Sequence, residues 1–478
     1  MVIFSKIGGL IFIILIARFL LPEKFGIYNL VIAITMIILT FTNFGTNQTL
    51  LKYVSESLGK GDSKKATAYY RFILKIKVLF AIISFFLLLF LAYPLSFFIF
   101  RKPDLFIPLL VASFYLLVLF FQTFYEALFY VFGNVKFLTI KEAILQFSKI
   151  FFVMVFFLFL GKTVSLTIFS LILSYLIVLL ILVYYLKKNN GFIFEKTDKV
   201  VDKKQVVKFV KYVIFSSISL TIFSAVDTVV LGAFVTLNYL GYYSAAILII
   251  FGFVTMLSFS NLLLPIFTNM KDKDLSSAFN RVLRYLSIIS IPIIFGVFVL
   301  GSYLLRVVYG YGYLEATLPL IVLSLLIFET PITGNLKALL FAKEKQKAVA
   351  KIVFFAVILN IVLNLAFIIY LLRISEVLAI TGAAAATVIS RAFILFSLII
   401  LSRKKLNLSL NFKPVVKPLF SAAIMGIVIF FINKSIGDMN VLYGILEIFV
   451  GVLVYFGLMF LMRGISKKDF YLIKEIIR

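Results

Sequence analysis

The chain has no cysteine and no histidine in 478 residues. Without cysteine it can form no disulfide and offers no thiolate nucleophile, and the redox compartment goes unread. Without histidine there is no imidazole base, no imidazole proton relay and no histidine metal ligand. Acidic groups are also scarce: 20 Asp and Glu stand against 47 Lys and Arg, a net charge of +27. All charged residues together make up 14%, whereas 63% of the chain is hydrophobic. No soluble domain hides that much apolar surface, and many windows exceed the roughly 18 apolar residues that mark a bilayer span. The expected fold class is an all-α integral membrane protein. Its first apolar run lacks a small-residue cleavage site and leads into another span, so it reads as a membrane helix and not as a cleaved signal.

Apolar runs separated by polar breaks give about fourteen transmembrane helices, near 2–21, 25–50, 72–100, 105–132, 138–160, 164–186, 209–235, 239–267, 282–305, 314–341, 347–372, 378–402, 415–434 and 440–462. At 1.5 Å per residue each can cross about 30 Å of hydrocarbon. The first break, Pro22-Glu23-Lys24, reads as a tight hairpin at the membrane surface, because proline has no amide hydrogen and ends helices. Lysine and arginine crowd the connections after even-numbered helices: Lys60, Lys64, Lys65 and Arg71 after the second, eight lysines from Lys187 to Lys211 after the sixth. Connections after odd-numbered helices hold few. The alternation persists to the end, which places both termini in the cytoplasm and the protein in the cell membrane as a multi-pass chain. Topology, helped by anionic headgroups, accounts for the basic balance, and nucleic acid is not an expected partner.

The chain also repeats itself. "ARFLLPEKFGIYNL" at Ala17 aligns with "GAFVTLNYLGYYSA" at Gly232, which pairs Gly26 with Gly241 and Tyr28 with Tyr243. "PLLVASF" at Pro108 aligns with "PLIVLSL" at Pro319, and "EALFYVFGNVK" at Glu126 with "KALLFAKEKQK" at Lys337, both shifted by 211. Helices 1–6 and 7–12 are therefore two copies of one unit. Six is even, so both copies enter the membrane from the same side, as parallel repeats. The expected domains are an N-terminal lobe over 1–195, a C-terminal lobe over 196–404, and helices 13 and 14 with a cytoplasmic tail over 405–478.

Those residues, with "NFGTNQTLLKYVSE" at Asn43, "AVDTVVLGAFVTLNYLGYYSAA" at Ala225 and "YGYGYLEATLPLIVLS" at Tyr309, resemble polysaccharide flippases of the Wzx type. These belong to the multidrug/oligosaccharidyl-lipid/polysaccharide exporter superfamily, and the resemblance covers almost the whole chain. It implies two lobes around a cavity that opens alternately to either side. The implied activity is flipping of a polyprenyl-(pyro)phosphate-linked oligosaccharide from the cytoplasmic to the outer leaflet, for surface polysaccharide or glycoprotein assembly. Lipid II flippases of the superfamily place an Arg-Asp pair where this chain has Phe12-Ile13, and their preceding cavity arginine falls on Lys6. Multidrug exporters of the superfamily stop at twelve helices. These departures count against a lipid II flippase and a cation-coupled drug or metabolite antiporter, which are carried as the alternatives. Family members carry a short segment ahead of the first helix that this chain lacks, which leaves its start open. A polytopic glycosyltransferase, the rival from another class, needs acidic residues in a sizeable outer loop. The single D-x-D, Asp272-Lys273-Asp274, falls on the lysine-rich side, so no enzyme is expected.

Ionisable groups at bilayer depth cost a few kcal/mol or more each, and each is a candidate for function. Lys6, Arg18, Lys52 and Arg391 are the expected substrate-binding cations for a pyrophosphate, which cannot cross hydrocarbon uncompensated. Glu126, Lys149, Asp227, Glu329 and Lys337 are the expected gating or coupling residues. Asp227 lies about 12 Å inside its helix end by helical rise. It reads either as a cavity carboxylate or as a hydrogen-bonded anchor near Ser224 and Thr228. Glu126 and Lys337, equivalent in the two copies but opposite in charge, either face one another or snorkel. Tyr309, Tyr311 and Tyr313 read as an interfacial aromatic belt. No cofactor or metal is expected, and coupling to Na+ or H+ is left open. The expected partners are a polyprenyl-linked glycan, membrane lipids, and a glycan polymerase or glycosyltransferases, with the protein itself a monomer.

Overall fold

A computed structural model describes residues 2–43, 45–204, 206, 223, 225–436 and 441–465, apart from the side chains of residues 2–6, 43, 261, 262, 272, 273, 436, 441 and 442. All regular structure among the described residues is helical. In chain order the helices are α1 Val2–Asn43, α2 Thr46–Gly59, α3 Ser63–Pro94, α4 Phe106–Val131, α5 Val135–Phe159 and α6 Val164–Asn189. Then come α7 Ala225–Phe234, α8 Leu237–Leu257, α9 Ser260–Asn269, α10 Asp272–Val308, α11 Thr317–Leu323 and α12 Leu326–Ala342. The last four are α13 Gln346–Leu372, α14 Glu376–Leu406, α15 Lys413–Ile436 and α16 Val441–Leu461. Eleven are long and apolar enough to cross a bilayer, or twelve spans with the bent pair α11–α12 counted as one. The first of the eleven is two legs in one, because Leu21 breaks α1 with φ 63° and ψ 169° immediately before Pro22. Most of the seventh expected span falls on residues 207–222 and lies outside the described residues.

Several expected boundaries are corrected. The second span does not end at 50. It breaks at left-handed Gly45 and continues as α2 to Gly59. The third starts at Ser63, where the Asp62 carboxylate accepts from the Lys65 amide at 2.9 Å and caps the helix. The ninth starts at Asp272 rather than 282. The eighth and tenth are each broken, between α8 and α9 and by 44° between α11 and α12. One physical reason covers the extensions: hydropathy marks only the apolar stretch, whereas a helix continues into polar residues while its backbone bonds propagate. Thr163 and Ser375 cap α6 and α14 by accepting from Leu166 and Leu378 amides, each worth about 1 kcal/mol.

Packing groups the chain into two compact units, Met1–Ser244 and Ala245–Arg478. In the first unit, side-chain contacts fix helix direction. Along α3 and α4, Tyr70 meets Phe124, Phe85 meets Phe114 and Tyr93 meets Phe106; one number rises as the other falls, so the helices are antiparallel. Tyr115 meets Tyr175 and Phe129 meets Tyr185, so α4 and α6 are parallel. Phe137 meets Tyr185 and Phe156 meets Phe169, so α5 and α6 are antiparallel. The first leg of α1 runs with α5: a side chain at Gly8 would press on Gln146, and Phe19 meets Phe157. This is the up-and-down order that the basic connections imply. A side chain at Gly26 would collide with the Leu237 carbonyl, and one at Gly241 with that of Pro22. Equivalent glycines of the two copies thus meet backbone to backbone, which only glycine permits.

In the second unit, α13 and α14 form an antiparallel hairpin in which Gly382 packs on Phe367 and Leu371. Helix α16 runs antiparallel to α10, with Gly444 against Tyr303 and the Tyr455 hydroxyl donating to the Ile288 carbonyl at 2.8 Å. The pair α15–α16, which has no counterpart in the repeat, also packs on itself through Gly451 against Ile429.

Candidate functional site

The first unit carries a polar cluster inside its helices. Lys141 on α5 bridges Glu126 of α4 at 3.1 Å and Glu142 at 3.0 Å, with its own side chain 5% exposed. An amide one turn along each helix steadies the carboxylates: Gln122 donates to Glu126 at 2.7 Å and Gln146 to Glu142 at 2.8 Å. Glu126 is therefore held by a cation of its own unit. Neither of the placements expected for it from sequence named Lys141. Helix α1 abuts the cluster, since Gly8 leaves room only for Gln146.

Further along α5, Lys149 lies with its Nζ 5.0 Å from the Tyr175 ring centre and 5.9 Å from that of Phe12. Lys77 of α3 is wholly buried, 4.4 Å from the Phe120 ring centre and 3.4 Å from both Thr46 and Asn47 just after the α1–α2 break. Asp227 accepts from the Tyr243 hydroxyl at 2.6 Å, a partner that neither reading of it from sequence named. Ser224 lies outside the described residues. Lys102 closes the end of α7 by donating to the carbonyls of Gly232 and, at 2.7 Å, Val235.

The second unit has its own cluster. Glu329 on α12 accepts from Thr333 at 2.5 Å and from Thr330 at 2.9 Å. Arg391 of α14 reaches Thr330 at 3.3 Å and lies 5.4 Å from the Phe251 ring centre. Three expected residues thus share one neighbourhood, since Lys337 and Arg391 both act electrostatically on Glu329. Asn360 and Asn364 of α13 are wholly buried; the Asn360 amide donates to Thr387 at 3.3 Å and that of Asn364 to the Asn360 carbonyl at 3.0 Å.

The remaining expected cations are Arg18, Lys52 and Lys6. Arg18 is exposed beside the α1 break. Lys52 is exposed on α2, with its ammonium 5.3 Å from the Tyr53 ring centre. Lys6 lies on α1 with its side chain outside the described residues, as does Lys273 of the D-x-D. Tyr309 and Tyr313 are buried and in contact, while Tyr311 is exposed and carries Arg306 at 4.1 Å from its ring centre.

Sequence reasoning missed Lys77, Lys141, Glu142, Asn360, Asn364 and Glu447, the last a carboxylate 2% exposed on α16. A signal was present for the first cluster. Each of its carboxylates has a glutamine four residues away, which is the spacing that lets helical side chains meet.

The sequence profile of the polysaccharide biosynthesis protein family matches residues 1–271. Comparison with curated proteins gave no match. Among solved structures, the lipid II flippase MurJ in an inward closed conformation is similar at 17% identity, over 100% of this chain and 98% of that one, with a TM-score of 0.77. An inward-facing multidrug resistance MATE family transporter of the MOP superfamily is similar at 13% identity, over 84% of this chain and 94% of that one, with a TM-score of 0.71. A MOP superfamily transporter from Pyrococcus furiosus is similar at 14% identity, over 85% and 94%, with a TM-score of 0.52. These neighbours are transporters and flippases rather than enzymes, and they share this fold. The chain belongs to the polysaccharide biosynthesis protein family, and its many apolar helices form a multi-pass membrane protein with the fold that these neighbours share.

Proposed function

We propose that the protein flips a polyprenyl-(pyro)phosphate-linked oligosaccharide from the cytoplasmic to the outer leaflet by alternating access, for surface polysaccharide or glycoprotein assembly. The observation that supports it most is a cavity of about 520 Å³ in the second unit, walled by α10, α15 and α16. Ile289, Ile293, Val297, Ile445 and Val452 are among its lining residues, and almost none of its surface is polar. Its volume falls in the usual ~300–1,000 Å³ range for ligand sites. Two of its walls are the helices that the twelve-helix repeat lacks. A greasy site added to a two-lobe transporter suits a substrate with a long isoprenoid tail. A charged head in turn needs the fixed cations at bilayer depth, because an uncompensated diphosphate is prohibitive there.

In this reading both termini are cytoplasmic, and coupling to Na+ or H+ is a separate matter. Labelling from outside at a cysteine introduced for Lys199 overturns that orientation. The function itself is tested by deleting the gene. The expected result is loss of surface glycan with build-up of lipid-linked sugar inside. Normal glycan with no build-up, and new sensitivity to cationic drugs alone, makes the protein an antiporter instead.

A further inference from the structure

Lys149 lies fourteen residues into α5 and ten from its end, about 21 Å and 15 Å by helical rise, so it is near the middle of the span. It is half-buried, so part of its side chain is open. Its surroundings are aromatic. Phe12 of α1 and Tyr175 of α6 flank the ammonium, and Tyr175 meets buried Tyr115 of α4 at 5.5 Å, edge to face. Among the described residues Lys149 forms no ion pair. The carboxylates that helices α4 and α5 do supply, Glu126 and Glu142, are engaged by Lys141 two turns away.

An ammonium at this depth costs a few kcal/mol or more. Ring faces return about 0.5–2 kcal/mol, which leaves a cation in excess. The neighbouring groups with acid hydrogens are tyrosine hydroxyls, which can donate to an anion. The positive charge of Lys149 itself therefore disfavours a second cation and favours an oxyanion, and phosphate oxygens are the strong acceptors for an ammonium.

We propose that Lys149, framed by Phe12, Tyr115 and Tyr175, is the phosphate-binding residue of the first unit and takes the (pyro)phosphate of the substrate. This rests on the reading above that the substrate is phosphate-linked. The site differs from the substrate-binding cations expected from sequence, which gave Lys149 a gating or coupling role; of those cations Arg18 is exposed beside the α1 break and Lys52 is exposed on α2.

The test uses the full-length purified protein, as wild type, Lys149→Met, Lys149→Gln and Lys149→Arg. Each is titrated with a polyprenyl diphosphate and with the polyprenol of equal length. Wild type should bind the diphosphate about tenfold or more tighter than the alcohol, the size of a charge-assisted contact. Lys149→Met and Lys149→Gln should lose that preference while binding polyprenol as before, which also shows that they are folded. Lys149→Arg should keep most of it. Inorganic pyrophosphate should compete with the lipid on wild type and lose that effect on the neutral variants. Neutral variants that keep the full preference overturn the assignment of Lys149 and leave the phosphate-linked reading standing. A wild type with no preference for diphosphate overturns that reading itself, and the assignment with it.

Discussion

The 211-residue shift that relates the two copies pairs Lys149 with Asn360. Both are polar, both lie at mid-span, and each faces the next helix, toward Tyr175 in one copy and Thr387 in the other. They differ in access. Lys149 is half-buried and Asn360 is 0% exposed. The charge is found where part of the side chain is open, and the neutral amide where none of it is. The pair Glu126 and Lys337 teaches the same lesson from the other side. Gln122, one turn before Glu126, donates to it, whereas its counterpart Thr333 turns back to Glu329 instead. Positions paired by the repeat both carry polar groups, but each has its own counter-groups.

The largest expected effect comes from forcing the copies to match. Asn360→Lys places in the second unit the charge that the first unit carries, but in a sealed site. An unpaired buried ion costs several kcal/mol, so folded protein recovered by size-exclusion chromatography should fall to a small fraction of wild type. Wild-type recovery and melting would show that burial is not what separates the two sites. Next in size is Lys141→Met, which leaves Glu126 and Glu142 without their cation. Breaking a buried pair in this way costs about 3–5 kcal/mol. Thermal unfolding should report it, and adding Glu142→Gln should restore part of the loss; strict additivity of the two changes would deny the coupling. Smallest in stability is Arg391→Ala. It should leave the protein inserted and folded but lower transport about tenfold, the loss of one charge-assisted contact. Lys404→Ala, on the exposed end of α14, serves as its control and should be nearly silent. Equal complementation of a deletion strain by the two variants would remove Arg391 from the transport path.

Much of this was legible in the chain. Proline at position 22 marked the break that Leu21 makes, and the repeat paired Gly26 with Gly241 before any contact between them was known. Buried charges could be found because hydropathy exposes each one against its apolar background. Their partners could not be found, because which faces of α4 and α5 meet depends on helix rotation, and residues fifteen apart such as Glu126 and Lys141 carry no local signal. Asn360 and Asn364 escaped for another reason: a search for charge passes over amides, although a buried amide also has to find partners. The breaks after Leu257 and after Leu323 interrupt runs that are apolar on both sides, so composition alone did not show them.

The meeting of Gly26 and Gly241 has a historical meaning. A residue that touches its own equivalent is the mark of an isologous interface, in which one patch pairs with itself across a two-fold axis. Before the copies were joined, a six-helix ancestor would have made this contact between two identical chains. On that reading of the repeat, copies joined in one chain are free to diverge, and one carries an ammonium at the place where the other carries an amide.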